Sequence, residues 1–512
     1  MTLNTNARAE ERGTRPLSLA SLNKEDASHS ETGFNNITSE DLAEAAQKEL
    51  DTIDPAERAR IRRKFDYRVV PFGVLGYLVA YIDRSNAGNA KLLGLVDDLE
   101  LTGNRFNIAL SAFFVTYILF EVPSNVCCKY FGPKIWLPVI VFLFGLISMC
   151  IAFAKTYGDF VALRCLLGIA EAGIMPGIAY MLSTFYRRHE LAARVGFYAS
   201  FASLSGAFGG LLATGLHKIP QWGIINTWRN IFFFEGILTM ISGVAIYFGL
   251  PDSPATAKFL TSEERAYAAR IIELETLTSR HAKIKKINVI RSLSISNGIL
   301  VVGEFCCLLT MNSLSLFVPT ILTSMGYSSV RSQLMSVPPY AVATVICVAF
   351  TILSDKLKMR GLPLLGLLPM GMIGFILLLT VDTVGVKYFA IFLTMAPAFT
   401  GSPTIMAWAL DNSAGPAVRA LSGAIQAGFG SIGGILATWT YTTAQAPKYT
   451  RGHAINLGGF CVAFVAVSVA ILYFRWENRQ RDAGKRDHRI VNKTAEEIND
   501  LGHRHPAFRF TT

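Results

Sequence analysis

With 512 residues, 51% of them hydrophobic and only 17% charged, the chain is too oily for a soluble protein, in which about a quarter of residues carry charge. Most of its apolar runs lack amphipathic breaks, so a polytopic membrane protein is expected. The formal net charge of +11 sits largely outside those runs, where basic membrane flanks explain it and no nucleic acid partner is called for.

Residues 1–66 are polar, rich in Ser, Glu, Arg and Asn, carry no signal peptide and read as a disordered tail. Six apolar segments follow at roughly 67–90, 106–127, 134–154, 158–182, 194–216 and 229–250, each long enough to cross ~30 Å of hydrocarbon. Residues 251–295 are polar again. There Thr261, with Glu264 three residues on, marks the start of a short amphipathic helix outside the membrane core. A second six apolar segments lie at roughly 296–318, 333–354, 361–381, 386–409, 419–442 and 455–475, and residues 476–512 form a closing tail. The fold expected is an all-α membrane protein, with twelve transmembrane helices in two six-helix bundles over 67–250 and 296–475.

The halves look like copies. GAFGG at Gly206–Gly210 recurs as GSIGG at Gly430–Gly434, and glycines so spaced let helices approach closely. A repeated six-helix unit is a transporter plan with its site near the midplane between halves. Basic flanks set the orientation: Arg58, Arg60, Arg62, Arg63, Lys64 and Arg68 precede the first segment, and Arg475, Arg479 and Arg481 follow the last. Both tails and the central segment are therefore expected in the cytoplasm, where the Asn36 and Asn492 sequons would stay unglycosylated.

The informative residues are charges inside the oily segments, because such charges cost at least a few kcal/mol and persist where they have work to do. Asp83 and Arg84 lie in the first segment. Arg164 and Glu171 lie in the fourth, seven residues or two helical turns apart and so on nearly one face. Arg84 cannot release its proton and offers a planar fork of donors suited to a carboxylate. The functional reading has Arg84 hold a small organic anion while Asp83 and Glu171 couple proton entry to its binding, with Arg164 tuning Glu171. The alternative is that all four satisfy one another in a network locking helices together.

In the second half Gln426, Trp408 and Asn412 lie where that bundle could close over a ligand, although each also suits helix packing. Glu121 is expected to brace a gate, and Glu235 and Glu304 suggest no partner. All eight cysteines fall in apolar segments and read as small core residues. No His/Cys spacing fits a metal, no phosphate-binding loop is present, and no nucleophile–base pair is visible. Neither a cofactor nor enzymatic activity is expected.

The chain resembles the major facilitator superfamily, and within it the anion:cation symporters of the allantoate permease type, widespread in fungi. The matching words are YIDRSNAGNAKLLGL, FFVTYILFEVPSN, FGPKIWLP, RCLLGIAEAGIMPG, GAFGGLLATG, LPDSPATAKFLTSEE and WALDNSAGPAVRA. The resemblance implies uptake of a small organic anion with protons. It implies that Arg84 contacts the substrate carboxylate, that Asp83 and Glu171 take part in proton coupling beside Arg164, and that Tyr117 faces the substrate. The superfamily's loop motif after helix two is degraded to CCKYFGPK, with Lys129 where an aspartate would stand. After helix eight, SDKLKMRG keeps Asp355, Lys356 and Arg360 as gating residues.

The function expected is a proton-coupled secondary active transporter, monomeric and in the plasma membrane. It would import a carboxylate, vitamin-like or ureide anion by alternating access. A proton-antiporting exporter of a metabolite or drug is the alternative within that class, and a non-transporting nutrient sensor the alternative outside it.

Overall fold

The computed structural model describes residues 48–50, 52–279, 286–357, 359–491, 493–494 and 501–512. Most of the expected N-terminal tail and both sequon asparagines lie outside them. In hydrocarbon every backbone polar group must be satisfied within its own segment, and each apolar run accordingly folds as a helix. After α1 (Pro55–Arg68), the first bundle comprises α2 (Val70–Ala90), α3 (Arg105–Phe131) and α4 (Pro133–Ile151). Its fourth span is α5 (Tyr157–Glu171) continued by α6 (Ile174–Ser183), its fifth α7 (Arg188–Ala199) continued by α8 (Phe201–Leu216), and its sixth α9 (Thr227–Gly249). After α10 (Ser262–Ser279), the second bundle comprises α11 (Ile295–Ser324), α12 (Ser329–Leu357), α13 (Gly361–Thr380), α14 (Val384–Asp411), α15 (Pro416–Ala437) and α16 (Thr450–Asp482). Eleven spans among the described residues are long and apolar enough to cross a membrane, and α15 supplies the twelfth through its shorter apolar stretch Leu421–Ala437.

Residues 55–66, expected within a disordered tail, instead belong to helix α1. Pro55 takes the first helical position and the Asp54 carboxylate accepts from the Ala56 amide at 2.9 Å. Phe65 is fully buried among the rings of Phe185, Tyr186 and Phe259. Arg58 pairs with Glu190 at 2.6 Å and Lys64 with Glu264 at 2.7 Å, so α1 clips the first bundle to α10. Thr261 and Glu264 form a reciprocal cap, each side chain accepting from the other's amide. The Lys64 ammonium, joined by the Thr261 amide, pulls the Glu264 carboxyl down to about 2.

The glycine repeat marks equivalent close approaches. A Cβ on Gly209 would meet Ser85 Oγ of α2 at 2.6 Å, and one on Gly433 would meet the Phe305 carbonyl of α11 at 2.6 Å. Each glycine thus faces the first helix of its own bundle. Their neighbours face across: a Cβ on Gly210 would meet the Gln333 carbonyl of α12 at 2.9 Å, and one on Gly434 would run into the Phe114 ring of α3. At the end remote from α1 and α10, hydrogen bonds also join the bundles. Asn107 donates to the Thr438 carbonyl at 2.5 Å, Trp439 to Ser111 Oγ at 2.9 Å, and Gln333 to the Asn89 carbonyl at 3.3 Å.

Candidate functional site

A cavity enclosing about 950 Å³ of empty space, open solvent included, lies between the bundles. It reaches Val195 and Leu410, near the helix ends where α1 and α10 pack. Its walls are helical stripes. Tyr77, Tyr81 and Arg84 come from α2, Phe114, Tyr117 and Glu121 from α3, and Glu304, Leu308 and Met311 from α11. Within each set the residues recur every three or four positions, which puts them on one helix face. From α14 come Phe399, Ser402, Met406 and Leu410. That periodicity is the sequence signal that places Tyr77 and Tyr81 beside Arg84 and sets Glu304 in the α11 stripe. Glu121, expected to brace a gate, stands instead in the α3 cavity stripe one turn beyond Tyr117.

Asp83 and Arg84 are neighbours in sequence and face different partners, since successive helical residues diverge by about 100°. Asp83 points into the first bundle, where its Oδ1 accepts a short hydrogen bond from Ser148 of α4 while Oδ2 has no partner. Arg84 lies in the cavity wall with 14% of its side chain exposed. Its Nε donates to Glu171 Oε1 at 2.5 Å. The rings of Tyr81 and Tyr117 each lie 4.8 Å from its guanidinium carbon, a cation–π cradle that fixes the plane of the fork. Glu171 is fully buried and keeps Oε2 free of hydrogen bonds.

Arg164, expected to tune Glu171, makes no direct ion pair with it. Seven residues set Arg164 and Glu171 about 10 Å apart along the helix axis, and Arg84 reaches across from α2 to take the carboxylate. Arg164 is buried between the rings of Phe160 and Phe232, and its Nε and Nη2 lack hydrogen-bond partners. It shares with Arg84, Asn312 and Ser315 a smaller cavity of about 320 Å³. The four charged residues therefore form no closed locking network: Arg84 and Glu171 pair, Asp83 binds a serine, and unsatisfied atoms remain on Asp83, Arg164 and Glu171.

Three residues expected over the ligand do other work. The Trp408 indole donates to the Thr511 carbonyl at 2.7 Å. Asn412 both donates to that carbonyl at 3.1 Å and accepts from the Thr511 amide at 2.8 Å. Both hold residues 501–512 against the ends of α14 and α16, where Phe510 stacks on Phe474 at 4.8 Å between ring centroids. The sequence could not show this, because the segment returns from about a hundred positions away. Gln426 is fully buried and donates to Asn297 at 2.9 Å, away from the cavity wall.

The residues expected to gate fall at the cavity end of the second bundle. Arg360 pairs with Asp355 at 2.6 Å and with Asp411 at 3.2 Å. Lys356 is exposed and stands outside this network, and Lys129 is likewise exposed in the first half. Among the described residues no group of three or more His, Cys, Asp or Glu side chains could hold a metal ion.

Two six-helix repeats around a central cavity define a membrane transporter. Residues 73–438 match the Major Facilitator Superfamily, and the chain belongs to that family. It is 35% identical over 474 residues to the MFS-type transporter cnsO of Penicillium expansum, covering 89% of this chain and 91% of that one. It is 34% identical over 473 residues to an uncharacterised transporter of Schizosaccharomyces pombe, with 90% and 92% covered. Among solved structures it is similar to the proton:xylose symporter XylE of E. coli bound to 6-bromo-6-deoxy-D-glucose. That likeness has a TM-score of 0.63 at 16% identity and covers 81% of this chain and 96% of that one; at such low identity it speaks for the fold.

Proposed function

We propose that this transporter imports a small organic anion together with protons, in the manner of the allantoate permease type. The observation that carries the reading is the Arg84 guanidinium in the wall of a largely apolar cavity between the bundles. A permanent charge at that depth is costly unless it binds something, and a planar fork already fixed through Nε and two rings favours a carboxylate on its remaining donors.

Coupling follows from competition. A carboxylate ligand and Glu171 both seek Arg84, and burying both anions beside one cation is unfavourable. A proton on Glu171 releases Arg84 to the ligand, so that anion and proton enter together and the net charge of the site stays constant. Asp83, beside Ser148, is the second acid in this scheme. The Asp355–Arg360–Asp411 network would close the cavity end of the second bundle when the bundles rock. Basic residues flanking the outermost spans support cytoplasmic termini, which makes that end the inner one; the protein would act as a monomer in the plasma membrane.

The test is uptake of a panel of labelled carboxylates by cells expressing the chain, at external pH 5 and 7. Uptake that is faster at pH 5 and lost in Arg84→Lys is the expected result. Carboxylate uptake that ignores both pH and Arg84 would overturn the reading.

A further inference from the structure

Arg84 has a counterpart on the opposite wall of the cavity. Glu304, on α11 of the second bundle, is only 2% exposed and lines the same space. Its Oε1 accepts from the Ser402 hydroxyl of α14 at 2.6 Å, while Oε2 is buried with no hydrogen-bond partner. No arginine, lysine or histidine among the described residues forms an ion pair with it, in contrast to Glu171. An acceptor oxygen withdrawn from water and left unmatched costs free energy until something donates to it. The serine beside it fixes the carboxylate and leaves that second oxygen as the vacant acceptor.

The geometry points to Glu304 and Ser402 as a second polar subsite, one that receives a hydrogen-bond donor at the far end of the transported anion. This rests on the reading of Arg84 as the carboxylate anchor. The ligand class it defines is bipolar: a carboxylate for Arg84 at one end and an ammonium, amide N–H or hydroxyl for Glu304 at the other. The stretch between should be apolar, because Phe114, Leu308, Met311, Phe399 and Met406 line the intervening wall. Such a ligand touches both bundles at once. A plain monocarboxylate engages only the first bundle with its charge, and leaves the buried Glu304 oxygen unmatched after the site closes. Selectivity of this kind is strong in principle, since a site built to hydrogen-bond a ligand group rejects analogues that lack it.

The test uses protein purified in detergent, with binding read from the ligand-dependent shift in melting temperature. The probes are hexanoate and octanoate, each compared with its ω-amino and ω-hydroxy derivative, and benzoate compared with 4-(aminomethyl)benzoate. For at least one spacer the donor-bearing acid should bind about tenfold tighter than its plain partner, the size expected of one charge-assisted hydrogen bond. Glu304→Gln should erase the ammonium preference, and Glu304→Leu the hydroxyl preference as well. Glu304→Leu should bind plain acids more tightly than the wild type does, because no buried acceptor is then left unmatched, and Arg84→Lys should weaken every probe. Ser402→Ala, which keeps the carboxylate but frees its orientation, should give a partial loss even if the Glu304 variants fold poorly.

Carboxylates that bind through Arg84 with no donor preference at any spacer would overturn the inference and leave the anion reading standing. So would a preference that survives Glu304→Leu. If no carboxylate binds the wild type, both fall together.

Discussion

The two bundles share one architecture, down to glycines at matching positions, yet they divide the chemistry unequally. The first carries Asp83, Arg84, Arg164, Glu171 and Glu235 within its spans, most of them almost wholly buried. The second offers the cavity wall Glu304 alone as an ionisable side chain, with the neutral polar groups of Asn312, Ser402 and Ser431 set among Leu308, Met311, Phe399 and Met406. The difference suits a machine of two rocking halves. Charge pairs are directional and expensive to break in a dry interior, so a ligand anchored by charge stays with one half. The second half's wall is mostly apolar, and apolar contact is non-directional, which lets that half come and go with only the proposed Glu304 hydrogen bond to break.

Substitutions that attack this asymmetry should have effects in a definite order. The largest is expected from Arg84→Lys. A point charge cannot reproduce the guanidinium fork or its seat between Tyr81 and Tyr117, so carboxylate uptake should fall about tenfold or more while surface delivery is unchanged. Uptake near the wild-type level would move the anchor elsewhere, with Arg164 next in line.

Glu171→Gln should split the activity rather than remove it. With no titratable group opposite Arg84, accumulation driven by a pH gradient should cease in reconstituted vesicles, while exchange of labelled for unlabelled substrate continues. Accumulation that persists would shift coupling to Asp83 or Glu235, whose two carboxylate oxygens both lack hydrogen-bond partners.

Shape should matter equally on both sides. Gly210→Leu and Gly434→Leu strike equivalent positions in the repeat, each driving a side chain into the other bundle at α12 or α3. Overpacking of this sort costs about 1–3 kcal/mol, so both should lower the melting temperature and slow transport to similar degrees. A strong effect at only one of them would show that the two halves do not share the load.

Phe510→Ala sharpens the comparison from outside the cavity. It removes a ring stacked on Phe474 and lying 4.6 Å from the Arg481 guanidinium carbon, and should loosen residues 501–512 from α14 and α16. Faster proteolysis of that segment with an unchanged KM is expected, because Trp408 and Asn412 hold the segment and do not line the cavity. A raised KM would return them to the ligand.

The smallest effect belongs to Glu264. Its carboxyl is depressed in the folded protein, so the stabilisation from Lys64 is fully present above the ordinary glutamate range and fades only as pH falls through about 2. Glu264→Gln should therefore cost about 1 kcal/mol or less, by the same amount at pH 5 and pH 8. A cost that varies between those values would contradict the assignment.

Sequence by itself determined what depends on transfer from water and on local periodicity: the number of spans, the division into two sixes, the repeat, and the depth of Arg84. Twenty apolar residues in a row have no stable alternative to a spanning helix, whatever surrounds them. The reciprocal cap of Thr261 and Glu264 was legible for the same reason, since both partners lie within one turn. Tertiary structure alone decided which charge meets which. Arg164 and Glu171 share a helix face, yet Glu171 goes to Arg84 because α2 and α5 bring a cation across the gap. Asp83 turns from its neighbour to a serine on α4. Trp408 and Asn412 are claimed by a segment about a hundred residues downstream, and the helix over residues 55–66, started locally by Asp54 and Pro55, is held by burying Phe65 and pairing with Glu190 and Glu264. Each of these choices is made between atoms far apart in the chain and adjacent in space, and one-dimensional order does not encode that distance.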